Sequence, residues 1–347
     1  MIDWIDCLLP LKHSKPVAGG GLVHLDADGE VTFQRLKFKE VRASHETGLM
    51  VVTDTSAEND DGSYPFIKVS GNPVKLFQGH NLWGSNDLHG YVLELYHFLC
   101  KVLDVPPTAS DYALVKQGAV RLYRVDINET FHLDGRPECL AWIRAAENSA
   151  RMKRRGRGEM KGSTLYFGKN SEHWSTKLYN KGQEIRDTGI SKKQPAIFGL
   201  PQPLAWADRA LRIEHVLRSK WLKLQNLDLV ANWGDNMVSD VYRELLQKLE
   251  FAETMTITPA ALDDLPGALR GAYALWKEGH DLRQVYSRPT FYRYRAKLLE
   301  HGIDISIQQQ GKPDNVVPLV RILEAVPVGV PDWAVGTSLY FEPRRFA

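Results

Sequence analysis

The sequence predicts an α+β fold: an antiparallel sheet with helices on one face over residues 1–225, followed by a smaller, mainly helical domain over residues 226–347. Three observations predict it. Alternating, β-type segments separated by turn residues dominate the first part of the chain. The segment Tyr91–Leu103 is apolar on most sides, as a helix covering a sheet must be. From about Asn226 the apolar residues fall at helical spacing instead.

In chain order, Met1–Leu11 alternates weakly and suits an opening strand. Leu22–Leu25 and Val31–Phe38 flank Asp28-Gly29, a hairpin signal. Residues 54–64 are polar and rich in Asp, Ser and Gly, a surface loop, and Phe66–Ser70 is a short strand. The Tyr91–Leu103 helix is stopped by Pro106-Pro107. Ala119–Phe131 reads as a strand with Arg124, Asp126 and Asn128 on one face, and Pro137–Met152 as a helix with proline in its first turn. Leu211–Arg218 is a strand carrying Arg212, Glu214, Val216 and Arg218 on one face and Leu211, Ile213, His215 and Leu217 on the other. Asp235–Glu250 and Asp264–Glu278 are helices, Asp281–Tyr286 a short one, and Ser287–Gly302 another, N-capped by Ser287. The proline-containing C-terminal tail is irregular.

Composition sets bounds. A chain of 347 residues with 43% hydrophobic content builds two or three domains with real cores. A net charge of +2 gives no global basic field, so any nucleic-acid surface is local. Cys7, Cys100 and Cys139 are far apart and odd in number, neither a disulfide framework nor a metal site. No apolar run approaches the ~18 residues of a membrane span. Asp3 and Asp6, with no basic leader, argue against a signal peptide, so a cytoplasmic setting is expected.

The chemistry concentrates in 163–184. Ser163–Gly168 reads as a strand, Lys169–Glu172 as a polar turn, and His173–Lys181 as a second strand. Alternation puts His173, Ser175, Lys177, Tyr179 and Lys181 on one face and Trp174, Thr176 and Leu178 on the other. A tyrosine with lysine two residues either side, on a polar face, is what a phosphate-attacking hydroxyl needs. A free phenol has a pKa of about 10, so neighbouring cations or a metal must help it ionise. Attack on a DNA phosphodiester gives a phosphotyrosine and a 3′-hydroxyl, and the ester retains the energy for rejoining. Lys181 would neutralise the phosphate or protonate the leaving group, with Lys177 on the backbone. Tyr166 is the rival nucleophile, but it lacks lysines at those spacings. Asp126 and Glu214 would hold Mg²⁺ (or Mn²⁺) beside the nucleophile, with His173 or His215 as further ligands.

Two basic segments complete the reading. Residues 151–161 hold six cations and one glutamate and read as a mobile loop; Arg154, Arg155 and Arg157 would track phosphates, against the alternative of a solvated charge run. The last helix pair presents Arg288, Thr290, Arg293 and Arg295, a helix-turn-helix pattern whose alternative is a helical hairpin with a basic solvent face.

At these residues the chain resembles the replication initiation (nicking-joining) proteins of filamentous bacteriophages. Leu76–Leu88 is similar to that family's Gln-Gly-His-Asn segment, Arg124–Ile127 to its Arg-Ile-Asp strand, and Leu211–Arg218 to its Arg-Phe-Glu strand. Ser171, His173, Tyr179, Lys181 and Glu184 fall at the spacing of its tyrosine motif, and Arg288–Tyr294 and Asn315–Arg321 resemble its C-terminal segments. The resemblance implies a nuclease domain of rolling-circle initiator type: a plus-strand nick at the origin, a 5′-phosphotyrosine link, extension by a host polymerase and helicase, then circularisation. Its substrates would be double- and single-stranded origin DNA. No two histidines are two residues apart, so the His-hydrophobic-His metal motif of many rolling-circle nucleases is absent. The competing readings are a non-enzymatic origin-binding or repressor protein, a conjugative relaxase, and a metal-dependent hydrolytic nuclease.

Overall fold

The computed structural model describes residues 1–45, 47–189, 194–252, 262–309 and 325–344. Its strands in chain order are β1 (Ile2–His13), β2 (Gly21–Leu25), β3 (Val31–Leu36), β4 (Lys39–Arg42), β5 (Gly48–Thr53), β6 (Tyr64–Gly71) and β7 (Arg121–His132). There follow β8 (Ala150–Met152), β9 (Gly156–Arg157), β10 (Glu159–Lys161), β11 (Thr164–Phe167), β12 (Trp174–Asn180), β13 (Ala210–Arg218) and β14 (Leu249–Phe251). Nine of them form one sheet in the order β10-β11-β12-β13-β7-β1-β6-β5-β4, with every neighbour antiparallel. The α+β expectation holds. The β2–β3 hairpin stands apart, exposed at nearly every residue.

The three inner strands show why one face is a core and the other a site. Along β13, Leu211, Ile213, His215 and Leu217 oppose Phe131, Glu129, Ile127 and Val125 of β7. That apolar face joins Leu165, Phe167 and Leu178 and is covered by α4 (Arg136–Ser149), which buries Cys139, Trp142 and Ile143. His215 belongs to this core. Burial holds its pKa down to about 3, its Nδ1 meets Thr176 Oγ1 at 2.8 Å, and its ring packs 4.9 Å from Tyr242. It is therefore no metal ligand.

Helix α2 (Leu88–Val102) starts where Asp87 accepts the Gly90 amide at 2.7 Å, and it buries Tyr91, Val92, Leu95, Tyr96 and Leu99. The same core continues through Leu227, Val230, Trp233, Val241, Leu245 and Phe251, so residues 226–251 pack with the sheet. A second core, from Ala252 to Ile307, joins the helices Gly267–Lys277, Leu282–Val285 and Arg288–Leu299 through Trp276, Leu282, Phe291 and Leu298. The irregular tail returns to the sheet domain. Ala334, Trp333 and Tyr340 pack with Trp83 and Trp206, Phe341 stacks on Phe77 at 4.6 Å, and Arg344 pairs with Glu94 at 2.8 Å. The Asn315–Arg321 segment lies outside the described residues.

The basic run over 151–161 is not a loose loop. β8 pairs with β14 and β9, β10 adds to the main sheet, and Arg151 bonds Glu250 at 2.7 Å. The strand expected to reach Lys181 stops one residue earlier. Asn180 accepts the Gln183 amide at 2.8 Å and caps α5 (Lys181–Thr188).

Candidate active site

The polar face of the same strands lines a cleft of about 480 Å³. Register places Tyr179 opposite Arg212, Lys177 opposite Glu214, and Val216 opposite Asp126 on three adjacent strands. Tyr179, Lys177, Glu214, Asp126 and Arg124 therefore share one face, and all line the cleft, as the alternation predicts. Lys181 lines it too, from the first turn of α5 rather than from a strand.

The hydrogen bonds fix roles. The Tyr179 hydroxyl donates to Glu214 Oε2 at 2.9 Å, and Lys177 Nζ donates to Glu214 Oε1 at 2.6 Å. Arg124 clamps Asp126 with two bonds, Nε to Oδ1 at 2.7 Å and a terminal nitrogen to Oδ2 at 2.6 Å. Lys181 donates to Glu184 at 2.8 Å and lies 5.9 Å from the Tyr179 ring centre. Asp3, bonded by the Asn72 and Asn81 amides at 2.7 Å each, closes the far wall.

These contacts reverse one expectation. The lysines do not lower the Tyr179 pKa. Burial, then the Glu214 carboxylate, hold the phenol well above its ordinary value, so the resting hydroxyl is neutral and carries its proton to a carboxylate. Burial also pushes Asp126 up to about 7, against its Arg124 bonds and with the Glu214 charge adding to the rise. Burial opposes the charge on Lys177, but Glu214 and Asp126 hold its pKa above the usual lysine value. Burial likewise works against Asp3, yet Arg212 and Lys181 keep its carboxyl below the usual range.

Buried Arg212 is the brace. It donates to the carbonyls of Asn81, at 2.7 Å, and Leu82, and to Thr130 Oγ1 at 3.3 Å. The Gln-Gly-His-Asn segment is thus a positioning strap: Gly79 ends α1 (Pro73–Gln78) at φ 75°, and a Cβ there would meet Ala196 at 2.7 Å. Sequence reasoning did not single out Asp3, Asn72, Arg212 or Lys161. Their signal was weak, since an acid early in an alternating strand looks like surface.

Several expected residues are not brought to the cleft. His173 is exposed just before β12 and outside the cleft lining, because the strand begins only at Trp174; its place as a metal ligand is corrected. Arg154 lies exposed at a turn with φ 67°, and Arg157 is half-buried beside Arg283 and Asp304. Arg155 stacks 4.5 Å from the Trp174 ring centre. On the C-terminal helix, Arg288 and Arg293 are exposed, and Thr290 accepts from Ser287 Oγ at 3.1 Å. Arg295 is bound to Asp304 by two bonds of 2.7 Å, so it braces the helical unit instead of facing a partner. Tyr166, opposite Lys177 in register, lines the same cleft as Tyr179.

Comparison with known proteins defines the class first: the relatives are replication-associated proteins. Residues 1–236 match the N-terminal family of the phage replication-associated protein, and residues 257–340 match its C-terminal counterpart. The chain belongs to this replication-associated protein family. The replication-associated protein of Enterobacteria phage I2-2 is 36% identical over 332 residues, covering 95% of each chain. That of Enterobacteria phage M13 is 24% identical, covering 90% of this chain and 87% of the relative. A rolling circle replication initiator protein from Geobacillus stearothermophilus aligns over 77% of this chain and 91% of its own, at 13% identity and a TM-score of 0.31.

Proposed function

We propose that this protein starts rolling-circle replication by nicking one strand of origin DNA through Tyr179 and later rejoining it. The observation that carries the reading is the Tyr179–Glu214 hydrogen bond of 2.9 Å inside a cleft lined with cations. As the phenol attacks, Glu214 takes its proton. The new bond joins Tyr179 Oη to phosphorus, and the bond from phosphorus to the 3′-oxygen breaks. The departing 3′-oxygen takes a proton, which Lys181, lining the same cleft, would supply. Lys177 and Arg124 offset charge on the non-bridging oxygens. Reversal of these transfers rejoins the strand without ATP. A host polymerase would extend the freed 3′-hydroxyl while a helicase displaces the linked strand.

The residues fit a divalent cation of the Mg²⁺ or Mn²⁺ kind. Asp126 and Glu214 line the same cleft, close enough that the Glu214 charge adds to the burial that raises the Asp126 pKa, and Mg²⁺ is commonly held by one or two carboxylates together with substrate phosphate. Among the described residues no group of three or more His, Cys, Asp or Glu could cage an ion. In this reading Asp126 and Glu214 would hold it with the substrate phosphate, and when bound it would polarise the scissile phosphate. The helix Arg288–Leu299, with Arg288 and Arg293 outward, would engage duplex origin DNA.

Among the described residues no helix is long and apolar enough to cross a membrane. Copying of the phage origin by host enzymes would place the protein's action in the host cytoplasm. Incubation with supercoiled origin DNA and Mg²⁺ tests the proposal. An enzyme relaxes or opens the circle, whereas a repressor leaves it supercoiled.

A further inference from the structure

The sheet face that carries Tyr179 continues past Asp126 to Arg218, a cation that the chemistry above does not use. Arg218 ends β13 directly opposite Arg124 of β7. Like charges directly opposite on neighbouring strands repel, and such a pair persists where something else compensates it. Of the carboxylates near the pair, Asp126 already has both oxygens engaged by Arg124, and Asp6 stands opposite Arg124 on the β1 side rather than beside Arg218. Arg218 forms no ion pair among the described residues; it donates to Ser175 Oγ at 3.1 Å and to the Lys169 carbonyl at 3.5 Å.

Arg155 approaches the same end of the sheet from the opposite, core-facing side, beside the β11–β12 turn. Its side chain crosses Gly168, where a Cβ would meet Arg155 Cδ at 2.5 Å, and it stacks on buried Trp174. Its Nε is buried without a hydrogen-bond partner. Burial and the Arg124 charge depress the Arg218 pKa, Asp126 offsets them only in part, and Arg155 adds a smaller push the same way.

We propose that Arg218, oriented by Ser175 and the Lys169 carbonyl and with the Arg155 charge behind it on the other sheet face, is a subsite for a backbone phosphate of the single DNA strand, flanking the scissile phosphate. Ser175 lies four residues from Tyr179 along β12, roughly 13 Å at strand rise. Ser175 and Arg218 lie outside the cleft lining but on the same sheet face, so the subsite is away from the reacting phosphorus and positions the strand without touching the chemistry. The inference rests on the DNA-nicking reading.

The test is binding of an oligothymidylate of about 12 nucleotides, in full-length protein carrying Tyr179→Phe so that no strand is cut. Adding Arg218→Gln should weaken binding about tenfold, and the slope of log affinity against log salt should become shallower by about 0.7, one single-strand phosphate contact. Arg218→Lys, which keeps the charge, should restore the slope. Lys101→Gln removes the same charge from an exposed position on α2 and should leave affinity within about twofold. A loss no greater for Arg218→Gln than for Lys101→Gln overturns the subsite, as does an unrestored slope in a folded Arg218→Lys protein. The nicking reading is judged separately, by covalent adduct formation with Tyr179 intact. A positive salt-slope result with no adduct would leave the subsite standing and remove the chemistry.

Discussion

Replacing Glu214 with glutamine tests the proton path most sharply. The amide keeps the size of the side chain and can still accept from Tyr179, but it cannot take the proton. General-base assistance contributes roughly 10²–10⁴ in rate, so the variant should form adduct slower by that factor, about 3–5 kcal/mol in barrier. Folding should suffer much less. Lys177 loses its ion-pair partner but keeps 26% of its side chain exposed, so water compensates and the cost is about 1 kcal/mol. The assay is single-turnover formation of a protein–oligonucleotide adduct on denaturing gels, paired with a binding measurement that should barely change. An adduct rate within about threefold of the parent would refute Glu214 as the proton acceptor.

Other consequences are as direct. Asp126 has a folded-state pKa of about 7, above its ordinary value, so its contribution to stability is present below about pH 4 and is lost as pH rises through 7. The unfolding free energy of Asp126→Asn should therefore gain on the parent across that window, by up to about 4 kcal/mol; a flat difference in denaturant titrations would contradict the raised pKa. Calorimetric titration of Mg²⁺ into the protein without DNA should give a signal that Asp126→Asn and Glu214→Gln each abolish, and equal heats in all three would remove these carboxylates from the ion site. Arg212→Met strands the Asn81 and Leu82 carbonyls in a buried place and should cost about 3–5 kcal/mol in denaturant unfolding, with less than about 1 speaking against the brace. Arg293→Ala should weaken duplex origin binding by about 1–3 kcal/mol, whereas Arg295→Ala should lower stability and leave affinity alone.

The polar face was legible because strand alternation is a local rule. Period-two patterns in 121–132, 174–180 and 210–218 suffice to put Asp126, Tyr179 and Glu214 on faces that register then brings together. What escaped is non-local or depends on direction. Nothing near residue 150 announces that its strand pairs with Leu249–Phe251, about a hundred residues on, so the basic run read as a loop. The lysines flanking Tyr179 read as activating cations. One of them is spoken for by Glu214, which also takes the phenol's hydrogen bond, and only three-dimensional proximity shows that. The Asn180 cap that turns Lys181 onto a helix was visible in principle as Asn-Lys-Gly-Gln, but a continuing alternation concealed it. Arg295 illustrates the same limit: helical spacing shows the face, while Asp304 in the following loop decides its role.

The measurement closest to the central claim is mass-spectrometric mapping of the residue linked to DNA after reaction with a labelled origin oligonucleotide and Mg²⁺. A 5′-phosphoryl nucleotide on the peptide containing Tyr179, absent from Tyr179→Phe protein, is the predicted result. A protein that cuts the strand without acquiring a nucleotide, or that carries it on Tyr166 alone, would contradict the account.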